Sequence, residues 1–196
     1  MNLTASEKPY PSFVEVVWPR IDWKREIILI LVSSWLVALT AQLIIPLQPV
    51  PITGQTFGVL LVGALLGSKR GAFALLIYLA QGAVGLPVFA GGASGVARFV
   101  GPTGGYLVGF VLAGFVVGWL SERGWDRRFT TTALAMLIGN AVIYACGLPR
   151  LAAFVGWEAV LKAGLFPFVA GDLLKILLAA VALPRAWAWV NNRNTT

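Results

Sequence analysis

Two ionisable side chains, Asp172 and Lys175, lie inside the otherwise apolar stretch 166–181. At the centre of a membrane helix such a group costs roughly 2.5–3.5 kcal/mol on insertion scales, so it persists where it faces a bundle interior, a cavity or another charge. Three positions of separation put both on one helix face about one turn apart, with the acid first, as the helix dipole prefers. Two readings fit the pair. Near a helix end it can neutralise itself and snorkel, binding nothing. Alternatively, Lys175 is a point charge for a ligand carboxylate and Asp172 an acceptor for ligand N–H groups. Other reactive chemistry is scarce. The 196 residues include no histidine, so the commonest metal ligand and the commonest general base are missing. The single cysteine, Cys146, lies in an apolar run, forms no intramolecular disulfide and reads as a packed small hydrophobe. With no catalytic motif around Asp172, Lys175 or Cys146, the chain reads as a non-enzyme with neither metal nor cofactor.

These side chains need a membrane scaffold to position them. Hydrophobic residues make up 58% of the chain and charged residues 12%, with a mean hydropathy of +0.82. Ordinary soluble domains are about 45–50% apolar, so the sequence is that of an all-α integral membrane protein, long enough for about six spans of about twenty residues. The net charge of +7 falls between apolar runs and so reports on topology, not on nucleic acid. Residues 1–26 contain Glu7, Glu15, Asp22 and Glu26 without a continuous apolar core. They read as a retained polar, proline-containing cytoplasmic arm, not a cleaved signal.

Six spans are expected at about 27–45, 57–66, 71–84, 106–120, 130–147 and 166–190, forming one membrane domain over 27–190 with a cytoplasmic tail at 191–196. Residues 148–164 read as a short helix lying at the interface. The second span is too short to cross about 30 Å of hydrocarbon, so either the preceding loop is embedded or the helix starts within the protein. Ser34 and Ala38 form a small-xxx-small pair that allows another helix to approach closely. Asn140 and Tyr144 lie one turn apart on the fifth span.

Two connections stand out. Residues 46–56 contain Pro46, Pro49, Pro51 and Gly54 but no charge, which suits a lid or a plain turn. Residues 85–106 contain seven glycines, which let backbone amides approach a ligand. Non-helical backbone at membrane depth is tolerated where it lines a cavity or is buried in protein, so this stretch reads as a re-entrant or lid segment. Of the fifteen Lys and Arg residues, eleven fall at one side of the six-span arrangement and three at the other, with Lys175 inside a span. The positive-inside bias then puts both termini in the cytoplasm, and both lids outside beside Asp172 and Lys175.

Four blocks in this order, Pro49-Val-Pro-Ile-Thr-Gly-Gln-Thr-Phe57, Gly85-Leu-Pro-Val-Phe-Ala-Gly-Gly92, Gly101-Pro-Thr-Gly-Gly-Tyr106 and Gly171-Asp-Leu-Leu-Lys-Ile176 after Pro167, resemble the BioY family, the biotin-specific capture subunits of energy-coupling-factor vitamin transporters. The resemblance covers roughly 27–190 and leaves the arm outside. It implies a multi-pass cell-membrane protein with six transmembrane helices, two extracellular gating loops and biotin held near the outer surface. Asp172 and Lys175 match the family's acidic and basic positions. Chemistry pairs Asp172 with the ureido N–H groups and Lys175 with the carboxylate. Gln55 and Thr56 match the polar end of the first lid, while Phe57, Phe89 and Tyr106 are candidate walls and Gly91 and Gly92 candidate points of close backbone approach. Asn140 and Tyr144 are further candidates, with hydrogen bonding between helices as their alternative. The implied partners are a membrane coupling subunit, docking at Ser34 and Ala38, and two cytoplasmic ATPases, with lipid around the bundle, a homo-oligomer as an option and no nucleic acid. Gly54 departs from the larger aliphatic residue expected there. Capture of another vitamin, or an ion or proton pathway through Asp172 and Lys175, are the competing readings.

Overall fold

The computed structural model describes residues 10–193, so Glu7 and Lys8 of the arm and the last three residues of the tail lie outside the described residues. Helix α1 (Phe13–Val17) is followed by α2 (Trp23–Ala41), whose N-terminus is capped by Asp22 accepting from the Arg25 amide at 2.9 Å. Strands β1 (Ile44–Ile45) and β2 (Ile52–Thr53) pair antiparallel, Ile44 opposite Thr53, and lead into α3 (Gln55–Leu66). Gly67 then turns with φ +84° into α4 (Ser68–Ala83). After the long glycine-rich connection, which carries the short α5 (Ala97–Val100), come α6 (Gly104–Ser121), α7 (Phe129–Val155), α8 (Val160–Gly164) and α9 (Phe166–Arg193). Pro167 occupies the opening turn of α9, where its missing N–H has no helical partner to lose.

Helix α6 is the central element and packs against α3, α4 and α7. Small residues make this possible: a Cβ on Gly63 would lie 2.5 Å from the Gly114 carbonyl oxygen, so α3 and α6 touch backbone to backbone. The outward faces are apolar as well. Leu173, Leu174, Leu177 and Leu178 of α9 are each more than half exposed, a surface suited to lipid. Gly104–Ser121, Phe129–Val155 and Val160–Asn192 are long and apolar enough to cross a membrane. At 12 residues, α3 extends only about 18 Å.

Two expectations change. The first connection, expected as a lid or a plain turn, is closed by β1 and β2 into a small hairpin. The interfacial helix expected at 148–164 shrinks to α8, because α7 runs on to Val155 through Pro149. The proline removes one main-chain donor, but Leu151 and Ala152 beyond it are buried, and Arg150 donates to the carbonyls of Val100 and Gly101. Packing carries the helix past the break.

The arm, in its described part, is docked on the bundle. Arg70 of α4 donates to Glu15 at 2.7 Å and to Glu26 at 3.0 Å, and the Phe13 ring meets Trp187 edge-on at 5.2 Å. Arg127 stacks on both Tyr10 and Trp187, at 4.6 and 4.2 Å. Two acids are buried at this end. Glu122 accepts from the Ser68 amide at 3.1 Å and from its hydroxyl at 2.8 Å, capping α4. Asp126, between α6 and α7, accepts from the Trp187 indole at 2.6 Å. Burial raises the Asp126 pKa above the ordinary carboxylate value, and the Trp187 bond opposes that shift.

Candidate ligand-binding site

At the opposite end from the docked arm, the hairpin, the glycine-rich connection and the helix ends beside them enclose a cavity of about 360 Å³. That lies within the range of roughly 300–1,000 Å³ common for small-molecule sites. Its apolar walls include Val50, Phe89, Tyr106, Phe110, Ile143 and Phe168, and its polar lining includes Gln55, Thr56, Arg98, Tyr144 and Lys175.

Lys175 is held by three acceptors: the Thr53 carbonyl at 2.8 Å, the Thr56 hydroxyl at 2.9 Å and Asp172 Oδ1 at 3.1 Å. An ammonium has three hydrogens, so each has a partner. The other Asp172 oxygen accepts from the Tyr144 hydroxyl. Asp172 is buried and is not among the lining residues. Tyr144 and Lys175 do line the cavity, so Asp172 reaches it through them and determines which way their hydrogens point.

On the α3 side, Gln55 Nε2 donates to the Tyr78 hydroxyl at 2.5 Å, and that hydroxyl donates onward to the Val88 carbonyl at 3.1 Å. This chain leaves Gln55 Oε1 as the acceptor side of the amide. Phe89 lies edge-on to Tyr78 at 5.5 Å and to Phe99 at 5.8 Å. Tyr106 donates to the Gly164 carbonyl at 3.0 Å and stands edge-on to Tyr144 at 6.3 Å. The second connection is tied to α2 by Gln42, whose amide donates to the Phe89 carbonyl at 3.2 Å and accepts from the Gly92 amide at 3.0 Å.

Of the residues singled out from sequence, Gln55, Thr56, Phe89, Tyr106, Tyr144 and Lys175 meet in this cavity, with Asp172 directly behind. Gly91 and Gly92 stand outside the lining. Their φ values of +67° and +70° turn the chain so that Ala90 and Ala93 line the cavity instead. Phe57 and Asn140 line a separate void of about 10 Å³, no larger than one water. Asn140 donates to the Met136 carbonyl at 3.2 Å, and its Oδ1 has no partner among the described residues.

The docking role given to Ser34 and Ala38 needs correction. Ser34 has no exposed surface and Ala38 is 4% exposed. Their stripe packs α2 onto the chain's own α3 and α4, the helices it contacts, so it cannot present a face to another subunit. Gly54 has a local reason: a Cβ there would lie 2.7 Å from the Thr40 carbonyl oxygen. Sequence reasoning missed Arg98, Gln42 and Tyr78. Arg98 did carry a signal, as the only charged residue in 85–105; the other two were ordinary polar residues within or beside apolar helices.

The family model described as "BioY family" matches residues 12–192 and so includes most of the described arm. The chain is 39% identical over 161 residues to a protein named as a probable biotin transporter BioY from Pyrococcus horikoshii, covering 82% of this chain and 95% of that one. It is 40% identical over 158 residues to the biotin transporter BioY of Thermotoga maritima, covering 80% and 92%. The corresponding protein of Rhizobium etli is 43% identical over 142 residues, covering 68% and 75%. Among solved structures, the crystal structure of the S-component for biotin from an ECF-type ABC transporter matches with a TM-score of 0.71 at 25% identity, covering 85% of this chain and 94% of that one.

Proposed function

The chain belongs to the BioY family, and we propose that it captures biotin as the substrate-binding component of an energy-coupling-factor transporter. One observation supports this beyond kinship: the cavity's polar lining combines acceptors and donors beside apolar walls. Biotin has a ureido ring with two N–H donors and one carbonyl acceptor, a thioether ring and an alkyl chain that favour apolar surroundings, and a carboxylate. The Tyr144 hydroxyl gives its proton to Asp172, so its oxygen is an acceptor for a ligand N–H. Gln55 Oε1 is a second acceptor, since the amide nitrogen serves Tyr78. The Thr56 hydroxyl accepts from Lys175 and keeps its own proton to donate to the ureido carbonyl. Asp172 thus orients Tyr144 and Lys175, and its sequence-level role as the ureido acceptor passes to the tyrosine it holds.

The six helices of 12 or more residues among the described residues, α2, α3, α4, α6, α7 and α9, are read as six spans of a plasma-membrane protein. The connections on either side of the cavity, 42–54 and 84–103, act as gates, with Gln42 as a tie between them. Arg20, Lys24, Arg25, Lys69, Arg70, Arg123, Arg127 and Arg128 lie at the arm end, which supports a cytoplasmic placement of that end and an outward-facing cavity. No GxxxxGK[ST] phosphate loop occurs in the sequence. Energy then comes from two ATPases through a membrane coupling subunit.

Calorimetry of biotin binding to the purified, detergent-solubilised chain, with thiamine and riboflavin as controls, tests the reading. Saturable binding of biotin alone is expected. Equal binding of all three, or of a control in preference, would overturn it.

A further inference from the structure

We propose that the groove between the arm and α2 binds an anionic phospholipid, with an acyl chain on its apolar walls and the headgroup phosphate on Arg25. This rests on reading α2 as a span, and not on which ligand the cavity at the opposite end takes. The groove encloses about 300 Å³ and is lined by Trp18, Ile21, Arg25, Ile28 and Leu29. Trp18 and Ile21 lie in the arm just after α1, and the other three lie in the first two turns of α2. The docked arm therefore supplies one wall. Arg70 holds the two walls together by binding Glu15 of α1 and Glu26 of α2. After Glu26 the chain carries no Asp, Glu, Lys or Arg until Lys69. The groove thus begins at the last charges before an uncharged span and runs onto its first apolar turns, the level of a membrane surface.

Charge identifies the occupant. Arg25 is the charged member of the lining, and the acids beside it in sequence are engaged: Asp22 accepts from the Arg25 amide at 2.9 Å, and Glu26 accepts from Arg70 at 3.0 Å. Arg25 is exposed, and its Nη1 donates to the Arg20 carbonyl at 3.2 Å. The other guanidinium N–H groups have no partner among the described residues and can take phosphate oxygens in a two-pronged contact. Arg20 and Lys24, both exposed, add to the positive field. Basic residues beside a membrane helix attract anionic headgroups in this way. The walls suit a lipid chain. Trp18 is 49% exposed and Ile28 58%, and tryptophan favours the headgroup level. Five lining residues are far fewer than the roughly 20–30 a side of a stable protein interface, which favours a lipid over a protein as occupant.

The test is native mass spectrometry of the full chain in detergent, titrated with phosphatidylglycerol, with phosphatidylcholine of the same chains, and with glycerophosphoglycerol, the headgroup without chains. Wild type should hold phosphatidylglycerol about tenfold tighter than phosphatidylcholine, the scale of one charge-assisted interaction. The free headgroup should bind at least about tenfold more weakly than the whole lipid, because it buries no chain. Arg25→Gln should cut the preference to less than about twofold, and Arg25→Lys should keep part of it, since charge remains and the fork is lost. Arg128→Gln, which removes an exposed cation at the start of α7, should leave the preference unchanged. Trp18→Ala should weaken both lipids alike by removing apolar wall. A preference that survives Arg25→Gln, or that falls equally in Arg128→Gln, would mean diffuse charge attraction and would overturn the site. Unchanged binding in Trp18→Ala would take the lipid out of the groove. Headgroup binding as tight as that of the lipid would make this an anion site only, and no lipid binding at all would leave the groove to a partner protein; either would overturn the assignment. None of these results bears on biotin capture, which calorimetry reads at the opposite end of the bundle.

Discussion

Lys175 of α9 donates to the Thr56 hydroxyl at the start of α3 at 2.9 Å, across 119 positions of sequence. Together with its bond to the Thr53 carbonyl at 2.8 Å, this contact pins the end of the hairpin to the helix that carries Asp172. The same ammonium that helps line the cavity therefore also holds the first connection in place.

Replacing Lys175 by Met should consequently damage folding and binding together. The buried Asp172 loses its counter-charge, with a destabilisation of about 3 kcal/mol, read as a lower thermal midpoint in detergent. The double variant Lys175→Met, Asp172→Asn removes the uncompensated charge and should recover most of the midpoint, but not biotin affinity. A single variant that melts like wild type would contradict the pinning role.

Tyr144→Phe removes the oxygen assigned to a ligand N–H while keeping the ring that stands edge-on to Tyr106. Biotin affinity should fall by about tenfold, the value of roughly 1.4 kcal/mol for a hydrogen bond in a dry site. Calorimetry reads this directly, and unchanged affinity would remove Tyr144 from the ligand contacts.

Gly54→Ala places a methyl 2.7 Å from the Thr40 carbonyl oxygen and 3.2 Å from Leu43 Cβ. Backbone cannot move aside as a flexible side chain can, so the junction of hairpin and α3 must shift, at about 1–3 kcal/mol. The midpoint should drop and biotin affinity should fall with it, because Gln55 and Thr56 follow immediately. A variant with wild-type midpoint and affinity would show that the junction has slack.

Asp126 gives a pH dependence. Its pKa in the fold lies above the ordinary value of 3.8, so between these two values the folded chain holds a proton that the unfolded chain has released. Stability from this group is therefore fully present below 3.8 and is lost as pH rises through the folded value. Asp126→Asn keeps the shape and an acceptor for the Trp187 indole, and should flatten this part of the midpoint-against-pH curve. A variant curve parallel to wild type would assign the slope elsewhere.

Much of the architecture was legible because helix formation in lipid is a local property. Apolar runs, glycines and prolines marked the helices to within a few residues, and the shortness of α3 was plain from its composition. The run through Pro149 was not legible, since the packing of Leu151 and the reach of Arg150 to Val100 outweighed a local breaker. The docking of the arm was likewise not legible: its single charges gave no hint that Glu15 and Glu26 would share Arg70.

For the site, the sequence by itself determined that Asp172 and Lys175 share a helix face, that two uncharged or glycine-rich connections deserved scrutiny, and that four blocks resemble one family. Tertiary structure alone decided what those charges face. In a chain whose helices are apolar on every side, hydrophobic periodicity does not say which face turns inward. Ser34 and Ala38 could therefore be read as a docking stripe when they belong to the core. Partners such as Thr53 and Lys175, 122 positions apart, appear in no local window. That the Lys175 ammonium already has its acceptors was settled only by bringing the hairpin, α3 and α9 to one place.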